Sequence, residues 1–413
     1  MNSRLIKISG YIGLFFIFTG ISYLLFDRLI PASSHSFLTS IKNNTKKTEE
    51  KSETKSDSIY SGPKTEACPI NGKLYTKEEK AIWSTRRPLM VMIENHEDSR
   101  PQSGLQGADI VYETIAEGGI TRFMGVFYCG VIAEAESNKY DLGPVRSART
   151  YFLDLASEYS DYPLYTHVGG ANCSAATSGG PCTTNKKAQA VEQIASYGWN
   201  DKGTWGDLSQ FSLSYKVCRR EPERTGKVVA TEHTMYCSSK ELYNIAASRG
   251  LTNKTEAKKT SWDKSYRAWS FKQEDKASAT PTTSNVSFDF WSGYKDYSVS
   301  WKYDAINNNY IRYNGGNEHV DFNTQKTITA KNIVIQFAKE TRSVDEHGHN
   351  LYGLIGNGTG VLIQNGVQTD ITWAKTNRVS RTIYKDKNGK EINFIPGNIW
   401  VEILSLDTKV SFN

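Results

Sequence analysis

Residues 100–130 read RPQSGLQGADIVYETIAEGGITRFMGVFYCG, and this stretch decides the fold. Ala108 to Glu117 is rich in β-branched and apolar residues, Gly118-Gly119 is a two-residue hairpin signal, and Ile120 to Cys129 makes a second strand. Such a turn sets Glu117 opposite Ile120 and Ile115 opposite Arg122. Period-two alternation then places Asp109, Glu113, Glu117 and Arg122 on one face, with both glutamates diagonal to the arginine. Ionised side chains beside a core are costly unless they are paired or face a site. One face is therefore expected to carry a charged cluster.

The run LGPVRSART at 142–150 extends that cluster. Pro144 suits a first helical turn, and Val145, Ala148, Tyr151, Phe152 and Leu155 follow at helical spacing. Arg146, Ser147 and Arg149 are expected in or near that turn, where free backbone N–H groups favour an anion. Two arginines there can hold phosphate, sulfate or carboxylate in bidentate fashion. Glu113 and Glu117 form the candidate acid–base pair, one carboxyl raised by its neighbour. Arg100, Gln102, Arg122, Arg146, Ser147, Arg149 and His167 are the candidate ligand-binding residues. His167 enters because it closes the strand expected at Tyr162–Val168, where polar groups meet ligands in α/β sheets. The competing reading has the arginines pair with the glutamates only to hold hairpin and helix together.

Outward from this centre, Pro88–Glu94 is a continuous apolar run, read as a central strand ending at Asn95-His96. Lys77–Trp83 is expected to be a short helix, with Thr76 as N-cap and Glu79 as its partner. Further helices are expected over Lys186–Tyr197 and Ser239–Ser248. From Val286 short alternating runs are separated by turns such as Asn314-Gly315-Gly316, Asn365-Gly366 and Asn388-Gly389, which predicts a β-rich region built of hairpins. The fold expected is an α+β or α/β N-terminal domain at 67–273, with a mixed sheet, hairpin and flanking helices. A linker at 274–285 and a mainly β domain at 286–413 complete it.

At the other end, Ile8 to Phe26 is free of charge and long enough to cross a bilayer, preceded by Arg4 and Lys7. It reads as a transmembrane signal-anchor over 8–30, behind a cytoplasmic tail at 1–7 and ahead of a polar stalk at 31–66. The alternative is a signal peptide cleaved near Pro31-Ala32-Ser33. The expected location is the bacterial cytoplasmic membrane, crossed once, with the bulk of the chain outside and the membrane itself a partner.

A chain of 413 residues is long enough for two cores. Its formal charge of +6 suits an anionic envelope polymer or a lipid surface and is too diffuse to argue for nucleic acid. Six cysteines, none in a CxxC pair, permit disulfides outside the cytoplasm. Cys173 and Cys182 bracket a loop and are the expected pair, while Cys129, inside a strand, is expected to be reduced. His347 and His349 flank a glycine, too few ligands for a metal, and no metal or cofactor is assigned.

The segments RRPLMVMIEN, RPQSGLQGADIVYE, EGGITRF, GPVRSART and HVGG, in that order, resemble the YerB-like family of bacterial envelope proteins. YIRYNGG, NGVQTDITWAK, DKNGKEI and PGNIW resemble the family's second homology domain. The segment around His233 departs from the family at Thr234, where asparagine is usual. The family includes lipoproteins without an assigned function, so the resemblance implies two homology domains and an envelope location but no reaction. A lipoprotein needs an acylated cysteine after its signal; the first here is Cys68, so the apolar helix is expected to do the tethering. Three functions stay open: binding an anionic polymer, lipid head group, peptide carboxylate or envelope protein; hydrolase or transferase action on an envelope polymer; and pure scaffolding. Carboxylates and arginines open to a deep pocket favour the second, and full mutual pairing inside the core favours scaffolding.

Overall fold

The computed structural model describes residues 60–135, 140–172, 182–274 and 281–413. The stretch expected to span the membrane lies outside them, and no helix among the described residues is long and apolar enough to cross one.

An eleven-stranded mixed sheet organises the molecule. Its strands are β1 (Leu89–Glu94), β2 (Ile110–Glu117), β3 (Ile120–Phe127), β4 (Leu164–His167), β5 (Asp207–Ser209), β6 (Asn332–Thr341), β7 (Leu351–Gly353), β8 (Gly356–Gln364), β9 (Val367–Lys375), β10 (Ile383–Lys385) and β11 (Ile399–Ser405). The spatial order is β10-β9-β8-β6-β11-β2-β3-β1-β4-β5, with β7 pairing β6 off that path. The two homology regions therefore do not keep separate sheets. β11 runs parallel to β2, setting Trp400 beside Val111 and Glu402 beside Glu113. Both strands are mostly apolar, as strands covered on both faces must be, with Glu113 and Glu402 as buried charged exceptions.

β1 is buried along its whole length, between β3 and β4. One face of the sheet meets the short helices: Tyr112 Oη lies 2.8 Å from Tyr159 Oη, and Tyr151 Oη donates to the carbonyl of Ile115. The other face meets a six-stranded sheet from the second region, which includes Asn285–Phe288, Val299–Asp304 and Asn309–Asn314.

The hairpin forms with Gly118 and Gly119 both at positive φ, as its turn requires. Its register differs from the expected one. Ile115 pairs with Thr121 and Glu117 with Ile120, so Ala116 is the extra residue of a β-bulge, and Thr114 rather than Ile115 stands opposite Arg122. Paired residues share a face and neighbours along a strand do not. With the bulge, Glu117 shares Arg122's face as expected, and Glu113 falls on the opposite one. The single charged face expected from strict alternation is split in two.

A second correction concerns 142–150. Helix begins only at Thr150 and ends at Ala156, and Arg149 occupies its N-cap position in extended conformation. Val145 bridges Ile93 and Ala148 bridges Gly170, so the apolar spacing read as helical belongs to a segment laid along the sheet. Lys77–Trp83 does form a helix, closed by the Thr76–Glu79 capping box. The cysteines hold a third correction. Cys129 is disulfide-bonded to Cys68, and Cys218 to Cys237. Cys182 is also disulfide-bonded, and Cys173, its expected partner, lies outside the described residues.

Candidate functional site

On the face toward the second sheet, Glu113 is sealed from solvent. It accepts from Thr121 Oγ1 at 2.7 Å, from Asn95 Nδ2 at 3.3 Å and from Arg312 Nη2. Arg312 is equally buried, packed against the rings of Phe123, Trp301 and Trp400, and its Nη1 donates to His319 Nδ1 at 2.8 Å. Burial and the Arg312 charge hold His319 well below the usual histidine range, so its Nε2–H donates to Gln102 Oε1. Gln102 in turn donates to Asn95 and to the Glu94 carbonyl, and Arg100 donates to Asn95 while lying over the Tyr297 ring. Arg100, Gln102 and Glu113 are thus members of one polar network joining the two regions.

Glu402 completes that network. It stands beside Glu113 on the neighbouring parallel strand and accepts from Trp301 Nε1 at 3.0 Å. Burial first, and the Glu113 carboxylate second, push its carboxyl well above the usual range. Two carboxyls with one arginine between them stay close to neutral only if one keeps its proton. The pair expected of Glu113 and Glu117 is therefore made by Glu113 and Glu402.

On the helical face Glu117 accepts from Arg122 Nη2 at 3.1 Å and from Arg149 Nε and Nη2 at 2.9 and 2.6 Å. Burial would raise its carboxyl, but the two guanidiniums override it and hold Glu117 far below the carboxylate range. Arg122 also donates to the Ser147 carbonyl. Beside Arg149 and Ser147 opens a cleft of about 550 Å³, closed by Gly170, Asn172, Cys182, Thr183 and Thr184 from the first region and by Glu346, His347 and His349 from the second. His349 is oriented by Asp345, 2.9 Å from its Nδ1, and Asp345 also accepts from the Asn185 N–H. His347 Nε2 lies 2.8 Å from Thr183 Oγ1.

Of the candidate residues, Ser147 and Arg149 line this cleft, with Glu117 and Arg122 directly behind Arg149. Arg146 turns elsewhere, its Nε 3.0 Å from Glu94 Oε1. His167 is locked between the Gly169 carbonyl and Asp207 at the β4–β5 seam. Asp109 accepts from the N–H groups of Tyr128, Cys129 and Gly130, and burial pushes it up to about 6 against those donors. Arg312 and Glu402 escaped the sequence reading, yet both left a signal. Tyr310, Arg312 and Asn314 share the inward phase of their strand, and Glu402 interrupts a run that is otherwise apolar.

A sheet completed by strands from two sequence regions, and sealed by buried carboxyls around one arginine, defines the class. Residues 72–252 match the N-terminal domain, and residues 286–401 the C-terminal domain, of the family described as "Protein of unknown function (DUF3048)". The chain belongs to this family. It is 27% identical over 350 residues to "Putative lipoprotein YerB" of Bacillus subtilis (strain 168), a match spanning 84% of this chain and 89% of that protein. The crystal structure of the YerB protein from Bacillus subtilis is similar with a TM-score of 0.62 at 25% identity, over 84% of this chain and 100% of that one.

Proposed function

We propose that the chain is a membrane-tethered protein of the bacterial envelope that holds a small anionic ligand in the cleft beside Arg149. The carrying observation is charge arithmetic: Arg122 and Arg149 share a single carboxylate, Glu117, so the wall of the cleft keeps one positive charge in excess. Ser147, Thr183 and Asn172 add neutral polar groups around it. Glu346 sits on the opposite wall and disfavours a polyanion. Of the anionic candidates, a carboxylate on a peptide or amino-sugar fragment fits this mixed wall better than a phosphopolymer. The apolar stretch Ile8–Phe26 and the lipoprotein name of the Bacillus relative support the tethered location.

Acid–base work by Glu113 and Glu117 on one substrate draws no support from carboxylates on opposite faces of a sheet. The scaffolding reading draws support from the sealed Glu113–Arg312 bond, and it applies to that face alone. The test is a calorimetric titration of the full chain with a muropeptide bearing a free carboxylate, its carboxamide, and a polyglycerol phosphate. The carboxylate is expected to bind saturably, and the amide about tenfold or more weaker, the worth of a charge-assisted hydrogen bond. Thr183→Trp, an exposed position on the rim, should weaken binding while leaving the melting temperature unchanged. Equal affinity for acid and amide, or indifference to Thr183→Trp, would reject the proposal.

A further inference from the structure

Two histidines outside the cleft come together where β1 ends. His96 follows Glu94 and Asn95 out of the sheet and caps the short turn Glu97–Ser99. His233 closes the turn Thr231–His233, well over a hundred residues later. Their rings stack with centroids 4.5 Å apart at 15°. A ring nitrogen of each and a carboxylate oxygen of Asp98 all lie within 4.8 Å of one another.

The second observation is the partner behind His233. Its Nδ1 lies 2.9 Å from Glu94 Oε2, and both side chains are almost fully buried. Glu94 is itself gripped through its other oxygen by Arg146. A carboxylate on one ring nitrogen fixes tautomer and orientation, leaving Nε2 as the nitrogen able to coordinate; metal-ligating histidines characteristically carry such a partner. The ring is thus prepared on its buried side, whereas His96 and Asp98 sit on a surface turn with 31% and 54% of their side chains exposed. Those two can rotate in to close the gap to the roughly 2.0–2.2 Å that zinc takes to nitrogen and oxygen.

We infer that His96, Asp98 and His233 form a site for one divalent transition metal ion of the zinc class, with Glu94 as the positioning residue. Two imidazoles and one carboxylate select such an ion over calcium or magnesium, which prefer oxygen alone. Three protein ligands leave a fourth position to water or to an incoming group. The site is independent of the anionic cleft, and either stands if the other fails.

The test is calorimetric titration of the chelator-treated full chain with zinc chloride, and with cobalt(II) chloride followed by visible absorption. One ion per chain is expected, with the intense d–d bands of low-coordinate cobalt. His96→Ala and Asp98→Ala, both surface changes, should each weaken zinc about tenfold or more. Glu94→Gln should weaken it by about 10–100-fold, the range for loss of an outer-shell partner, and shift the cobalt spectrum. His347→Ala, in the cleft, should change nothing. Absence of stoichiometric binding, affinity unaltered in His96→Ala, or loss in His347→Ala alone would overturn the inference. Near-ultraviolet circular dichroism of each variant separates lost binding from lost fold.

Discussion

Glu113 shows how a side chain that is costly beside a core is accommodated. A glutamate in an apolar run must be paired, and the partner is Arg312, 199 positions away in sequence. Without the Glu113 charge, Glu402, 4.0 Å from Arg312 Nε, can ionise in its place, so Glu113→Gln should cost less in denaturant unfolding than the about 3–5 kcal/mol of a stranded buried charge. Glu402→Gln should be close to neutral, because the amide is the uncharged isostere of a carboxyl that already keeps its proton. The pH dependence follows from the raised Glu402 carboxyl. Below the ordinary value of 4.5 both folded and unfolded chains carry this proton and nothing is lost. As pH rises toward the folded value the unfolded chain releases its proton first, and stability falls. Glu117 works the other way: held low by Arg122 and Arg149, it contributes stability above 4.5 that is lost as pH falls. Unfolding curves from pH 4 to 9 should therefore decline less on the alkaline side in Glu402→Gln, the part due to the raised Asp109 carboxyl remaining. An unchanged decline would show that Glu402 is ionised in the fold.

At the scale of elements, the bulge at Ala116 decides which carboxylate meets which arginine. Because Ala116 is taken up as a bulge, Glu117 sits on the Arg122–Arg149 face and not on the Arg312 face that unbroken alternation would give it. Deleting Ala116 removes the extra residue and leaves Glu117 next to Ile115 and opposite Ile120, so Arg122 and Arg149 keep their shared carboxylate. The expected outcome is a soluble variant that retains its near-ultraviolet dichroism, as does Gly118→Asn, which tolerates the left-handed turn. Loss of soluble protein on deletion would mean that the bulge itself, and not only the face of Glu117, is required. The hairpin was legible because Gly118-Gly119 signals its turn locally. The bulge was not, because no residue in IVYETIAE departs from what a regular strand accepts. The 142–150 segment misled for a related reason: Val145 and Ala148 are buried by the sheet, and apolar spacing alone does not say which neighbour does the burying.

At the scale of the molecule, strands from both homology regions share one sheet, and β2 has no partner on one side until β11 arrives near the C terminus. A polypeptide ending before the second region would expose that edge and leave Glu113 buried without its arginine. Neither 60–274 nor 281–413 should fold alone, and the intact chain should unfold in a single transition seen identically by near- and far-ultraviolet dichroism. A cooperative melt of the isolated 60–274 fragment would contradict this. The disulfides bear on the same point. Cys68–Cys129 ties the segment that opens the described chain to the turn after β3, so removing it should be felt throughout the first region.

Local chemistry carried by the sequence alone determined the hairpin, the Thr76 capping box, the buried β1, the β-rich second half and the fact that charges must be reconciled inside a core. Each rests on residues within a few positions of one another, where turn geometry and periodicity act directly. Which charges meet was decided only by the tertiary structure: Glu113 with Arg312 and Glu402, Glu117 with Arg149, His233 with Glu94. Those pairings depend on a parallel contact between strands some 290 residues apart and on one bulge, and long-range register leaves no trace in local pattern.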